Sequence, residues 1–118
     1  MIIWRRSVEL IAECYRLSAR FPLGERYGIT AQFRRAACSI AANISEGSGR
    51  DSTKEYLHFL SIARGPLREV QTYLAVSGEL GYASGIELER ASALADEIGR
   101  MLNGLRRRYT RTAKVGGL

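Results

Sequence analysis

Residues 52–81 read STKEYLHFLSIARGPLREVQTYLAVSGELG. Tyr56, Leu60, Ala63, Leu67, Val70 and Leu74 recur in this stretch at steps of 4, 3, 4, 3 and 4. That period lays one apolar seam along a helix, of the heptad type that packs on other helices. Ser52 and Glu55 form an S-x-x-E capping box at its start, and Gly78 and Gly81 end it. Gly65-Pro66 interrupts the seam. Pro66 lacks the N–H that would reach the Ile62 carbonyl, and its ring clashes there, which predicts a kink or a split.

The same seam returns downstream at Ala91, Ala95, Ile98, Leu102, Leu105 and Tyr109, behind a second S-x-x-E, Ser84 with Glu87. This predicts a helix to about Tyr109, followed by a frayed polar segment. Upstream, residues 2–20 carry Trp4, Val8, Ile11 and Tyr15 as one apolar face, with Arg5, Glu9, Glu13, Arg16 and Arg20 on another. Phe21-Pro22-Leu23-Gly24 breaks that helix. A further helix begins at Glu25 or Thr30 and runs to Glu46, with Phe33, Ala37, Ile40 and Ile44 in one line. Ala36, Cys38, Ala41 and Ala42 fill its other directions, and no charge falls between Ala36 and Ile44. A helix apolar nearly all round is covered on more than one side. Either small residues pack closely inside the bundle, or this helix forms a subunit interface; the second reading is the one expected here. Gly47-Ser48-Gly49-Arg50-Asp51 reads as a turn, with Gly47 as a left-handed helix cap. Four helices with short connections predict an all-α, antiparallel up-down-up-down four-helix bundle over residues 1–109, with a basic tail at 110–118.

A chain of 118 residues is one domain, and 46% apolar with 25% charged residues is ordinary globular composition. No apolar run approaches the ~20 residues of a membrane span, and no signal peptide is visible, so a cytoplasmic protein is expected. Two cysteines make neither a disulfide framework nor a zinc site. Cys14 and Cys38 sit among apolar helical neighbours and read as core residues. A single histidine, His58, removes most histidine-based catalysis. Glu55 and His58 have the E-x-x-H spacing of carboxylate-bridged metal bundles, but such sites need two of these motifs and two more carboxylates. No catalytic residues, metal or cofactor are therefore expected.

The net charge of +6 is unevenly placed. Residues 1–99 hold twelve Lys/Arg and twelve Asp/Glu, so the whole excess comes from Arg100, Arg106, Arg107, Arg108, Arg111 and Lys114. A concentrated basic segment suits polyanions, although cations also favour helix C-termini. Arg50, Ser52, Thr53 and Lys54 gather at a helix start, a weak accessory site for an anion. Arg35, Ser39, Asn43 and Glu46 form a polar stripe on the apolar second helix. His58, Ser61, Gly65, Arg68, Glu69 and Thr72 share a face of the third. With no nucleophile or metal-ligand set among them, these read as structural partners that fix register.

The run Arg34-Arg35-Ala36-Ala37-Cys38-Ser39-Ile40-Ala41-Ala42-Asn43-Ile44-Ser45-Glu46-Gly47 resembles the signature of the four-helix-bundle proteins encoded in intervening sequences of bacterial 23S rRNA genes. Phe21-Pro22, Glu25-Arg26-Tyr27-Gly28, Phe59-Leu60, Leu80-Gly81-Tyr82 and Met101-Leu102-Asn103-Gly104-Leu105 extend the resemblance over about residues 4–109. Pro66 departs from it, since the family usually has serine there. The resemblance implies a homopentamer. It also implies similarity to the accessory variability determinant proteins of diversity-generating retroelements, which bind nucleic acid and partner a reverse transcriptase.

Two functions are expected from these readings. The first is a nucleic-acid-binding oligomer, RNA or DNA, that uses Arg106, Arg107, Arg108, Arg111 and Lys114, with Arg34 and Arg50. The alternative is a protein-interaction scaffold that docks a protein partner such as a reverse transcriptase. Arg35, Ser39, Asn43, Glu46, Gly47 and Glu69 are the expected structural motif.

Overall fold

The computed structural model describes the backbone of residues 1–116 and the side chains of residues 1–111. Its α-helices are α1 (Ile2–Ser18), α2 (Ile29–Ser48), α3 (Thr53–Glu79) and α4 (Gly85–Gly116), with a single 3-10 turn at Leu23–Glu25. No strand occurs among the described residues. Each helix packs on its two neighbours in the order α1–α2–α3–α4–α1. The antiparallel sense follows from pairs across the helices. Phe33 near the start of α2 meets Tyr73 near the end of α3, and Tyr56 at the start of α3 meets Tyr109 of α4. Arg20, just after α1, reaches Glu87 in the first turn of α4. No described helix is long and apolar enough to cross a membrane.

The seams of three helices form the core as their periods predict. Phe33, Ala37, Ile40 and Ile44 of α2 are fully buried. So are Leu60, Ala63, Leu67, Val70 and Leu74 of α3, and Ala91, Ala95, Ile98 and Leu102 of α4. In α1 the buried line is not Trp4–Val8–Ile11–Tyr15 but its neighbour, Ile3, Ser7, Leu10, Cys14 and Leu17. Trp4 and Tyr15 remain 37% and 42% exposed. Burial of the serines is made cheap by their backbone bonds: Ser7 Oγ donates to the Ile3 carbonyl at 2.8 Å, and Ser18 Oγ to that of Cys14 at 2.7 Å.

Three local expectations need correction, and at Pro66 one of the two alternatives falls away. Gly47 is not a left-handed cap. It lies inside α2, and positive φ among the described glycines occurs at Gly81 and Gly85. A Cβ on Gly47 would stand 2.8 Å from Phe59 Cβ, so glycine is required there for α2 to approach α3. Pro66 does not split α3, which runs unbroken from Thr53 to Glu79. The Ile62 carbonyl it leaves without a helix partner belongs to a residue on the exposed side, where water can serve it. Ser52 does cap α3, accepting from the Glu55 N–H at 3.1 Å. Ser84 makes no matching side-chain bond among the described residues; Gly85, at φ +69°, leads into α4 instead, and Glu87 pairs with Arg20 at 2.9 Å. Finally, Cys38 is exposed rather than core, whereas Cys14 is buried. α2 lies between α1 and α3 and buries Ala36 and Ala41 there, which leaves Cys38 and Ala42 facing outward.

The first connection plugs one end of the bundle. Phe21 stacks on Phe33 and tilts against Tyr82, with centroids 5.9 and 5.6 Å apart. Tyr82 Oη donates to Glu25 Oε2 at 2.9 Å, which raises the tyrosine pKa.

Candidate nucleic-acid interface

The basic end is the C-terminal part of α4, which continues past Tyr109. Tyr109 anchors this part to the bundle through its edge contact with Tyr56, at 5.3 Å between centroids. Burial, with Tyr109 adding, raises the Tyr56 pKa. Arg106, Arg107, Arg108 and Arg111 are exposed. Helical geometry separates them: Arg106, Arg107 and Arg111 line one open hollow with Thr110, while Arg108 stacks over the Tyr109 ring at 5.7 Å. The Lys114 side chain lies outside the described residues.

Arg50 comes to the same end as these arginines. It shares with Tyr56, Tyr109 and the Ser52–Thr53 helix start an open cavity of about 370 Å³. Its guanidinium is already engaged, in an ion pair with Glu46 and over the Phe59 ring at 4.9 Å. Arg34 lies apart, toward the other end. It donates to Ser18 Oγ at 2.7 Å and lies 4.5 Å over the Tyr15 ring, so it ties α2 to α1. The structure thus brings Arg50 and the C-terminal arginines together and does not bring Arg34 to them.

The polar stripe of α2 is partly self-satisfied. Asn43 Nδ2 donates to the Ser39 carbonyl at 2.9 Å and to Ser39 Oγ at 3.2 Å, while Glu46 holds Arg50. Arg35 is exposed, as are His58, Ser61, Arg68, Glu69 and Thr72 on α3. Beside the stripe, Cys38 Sγ lies 3.9 Å from Tyr15 Oη, a contact that raises the Tyr15 pKa. The Cys14 thiol is pushed up to about 12, chiefly by burial, with Glu13 and Cys38 adding. Its thiolate is therefore absent at neutral pH.

A second basic feature was not grouped in the sequence reading. Arg64 and Arg68 of α3 face Arg100 of α4 across a groove of about 240 Å³, with Gln71, Asp96 and Asn103 also on its walls. Arg64 and Arg68 stand one helical turn apart, the single local signal for this site. Arg100 is distant in sequence, and only the pairing of α3 with α4 joins it to them.

Four helices packed in a ring, with a neutral body and a basic end, define an all-α four-helix bundle. Residues 1–104 match the 23S rRNA-intervening sequence protein family, and the chain belongs to it. A crystal structure of a protein of unknown function from the S23 ribosomal protein family of Bacteroides thetaiotaomicron has the same fold. It aligns with a TM-score of 0.78 over 88% of this chain and 97% of that one, at 23% identity. No curated protein matches the chain.

Proposed function

We propose that this chain is a non-catalytic, cytoplasmic, homo-oligomeric protein that binds nucleic acid through its basic surface with little sequence preference. The observation that carries this reading is the separation of charge. Residues 1–99 sum to zero, and the +6 excess lies from Arg100 onward, with Arg106, Arg107 and Arg111 exposed on the last turns of α4. Guanidinium groups bind phosphate oxygens bidentately and carry little base information. Tyr109 is committed to Tyr56, so stacking on bases contributes little. The homo-oligomer, a pentamer by resemblance, is supported by apolar side chains that α1 and α2 leave outward, Trp4, Tyr15 and Ala42 among them.

A second reading, a scaffold that docks a protein partner such as a reverse transcriptase, is favoured by Leu23 and Tyr27. These are 91% and 85% exposed on the first connection. Titration with structured RNA and duplex DNA across a salt series separates the two readings. Binding with a steep negative log–log salt slope, lost in Arg106→Ala/Arg107→Ala/Arg108→Ala with assembly intact, supports the first. An intact oligomer that binds neither nucleic acid at low salt refutes it and favours the scaffold.

A further inference from the structure

The geometry points to the groove between α3 and α4 as a binding track for a sugar–phosphate backbone, with Arg64, Arg68 and Arg100 as its phosphate ligands. This rests on the nucleic-acid reading above and moves the centre of binding from the chain end to the flank of the bundle.

Charge balance is the first ground. Arg6, Arg16, Arg20 and Arg50 all pair with carboxylates at 3.3 Å or less. Among the described residues, Arg64, Arg68 and Arg100 pair with none. Asp96 is the one carboxylate on the groove walls, and it is occupied by Gln71 Nε2 at 3.0 Å. Glu69 is 100° round the helix from Arg68, on the flank of Tyr73, which packs on Phe33 of α2. Three cations face this groove against the single carboxylate of Asp96, so the groove keeps a net positive charge that a bound polyanion offsets.

Continuity is the second ground. From Arg100, Asn103, Arg107 and Arg111 follow along α4 at steps of 3, 4 and 4, on the flank that turns toward α3 and outward. The hollow lined by Arg106, Arg107 and Arg111 therefore prolongs the groove beyond the start of α3. Eleven residues of helix advance about 16 Å, the axial length of about five phosphates in one strand of a duplex. Arg100, Arg107 and Arg111 thus lie along one flank of α4, with the neutral Asn103 between the first two.

The shape of the site is the third ground. A volume of about 240 Å³ accepts a phosphate and its sugar, and Asn103 offers both a donor and an acceptor beside them. The leucines on its walls, Leu67 and Leu102, are buried and belong to the core. An acidic protein partner would need exposed apolar anchors there, which the groove lacks.

The test uses the full chain with a 20-nucleotide oligouridylate and a 20-base-pair RNA duplex, titrated from about 25 to 300 mM salt. Arg64→Gln/Arg68→Gln/Arg100→Gln is expected to weaken binding at least tenfold. It should also flatten the log–log salt slope by about two units, since each lost phosphate contact removes about 0.7–0.9. The triple lysine variant should keep the slope, because the charge is retained. Helix content and oligomer mass are read for each protein. Where the triple glutamine variant fails to fold, Arg68→Gln/Arg100→Gln, both exposed, takes its place with about two-thirds of the effect on the slope. Wild-type affinity and slope in a folded groove variant, with loss confined to Arg106→Ala/Arg107→Ala/Arg108→Ala, overturn the groove and leave the nucleic-acid reading standing. Absence of binding by the wild-type protein at 25 mM salt to both RNAs and to a 20-base-pair DNA duplex overturns both.

Discussion

Replacing Gly47 with alanine sets two effects of opposite sign against each other, and the structure decides between them. Gly47 is inside α2, where alanine would add about 1 kcal/mol of helix propensity. The new Cβ, however, would stand 2.8 Å from Phe59 Cβ and 3.3 Å from Tyr56 Cδ1. Phe59 Cβ is the root of its side chain and cannot swing away, so α2 and α3 must separate. Overpacking of this kind costs about 1–3 kcal/mol, and loosened contacts at Ile44 and Leu60 add to it. A net loss of about 1–2 kcal/mol is expected, or about 4–8 °C in Tm for a domain of this size. Gly104→Ala is the internal control. Gly104 is also helical, and nothing lies within 4 Å of its added Cβ, so the substitution should stabilise by about 0.5–1 kcal/mol. Urea unfolding followed by circular dichroism, at two protein concentrations so that any contribution of assembly is seen, measures both. If Gly47→Ala stabilises as much as Gly104→Ala, the close approach of α2 to α3 is wrong.

Four other outcomes are expected. A maleimide should label Cys14 only after unfolding, as counted by mass; rapid labelling of Cys14 in the native protein would contradict its burial. The raised Cys14 pKa favours the folded state while the thiol is neutral, so its contribution is whole below about pH 9 and is lost toward about 12. Between pH 7.5 and 10.5 the wild type should therefore lose about 2 kcal/mol more stability than Cys14→Ala, and equal losses would exclude the effect. Arg34→Ala should destabilise by about 1–2 kcal/mol through the lost Ser18 bond and Tyr15 stacking, and Arg34→Lys should not restore it, because only the planar guanidinium makes both. Ser52→Ala should remove about 1 kcal/mol with the α3 cap; no change in the urea midpoint would show that the cap bond contributes nothing.

The bundle was legible because α2, α3 and α4 repeat apolar residues at steps of 4 and 3, which lays one apolar seam along each helix. In α1 two apolar lines run side by side, and bulk pointed to the wrong one. Trp4 and Tyr15 carry more apolar surface than Ser7 and Cys14, yet the smaller pair lies inside. A serine that bonds its own helix is apolar to its surroundings, and hydropathy cannot register that. Gly47 was misread for a similar reason: its glycine-rich context says turn, while its use depends on Phe59 across the interface. The basic chain end was legible as charge. The groove was not, since Arg64 and Arg100 meet only after α3 and α4 pair.

The molecule measures 55 × 24 × 19 Å, and its net charge is gathered toward one end of the long axis. A rod charged in this way has a large permanent electric dipole. In the field of a polyanion it feels a torque before it feels contact, and it turns so that the C-terminal end of α4 leads. The same arginines offset the negative pole of the α4 macrodipole, which would otherwise weaken that torque. At physiological salt the field fades over about 8 Å, far less than the rod's length, so only the leading end senses the target during approach. Orientation is thus selected in the last nanometre of the encounter, and added salt should slow association by spoiling alignment as well as by weakening attraction.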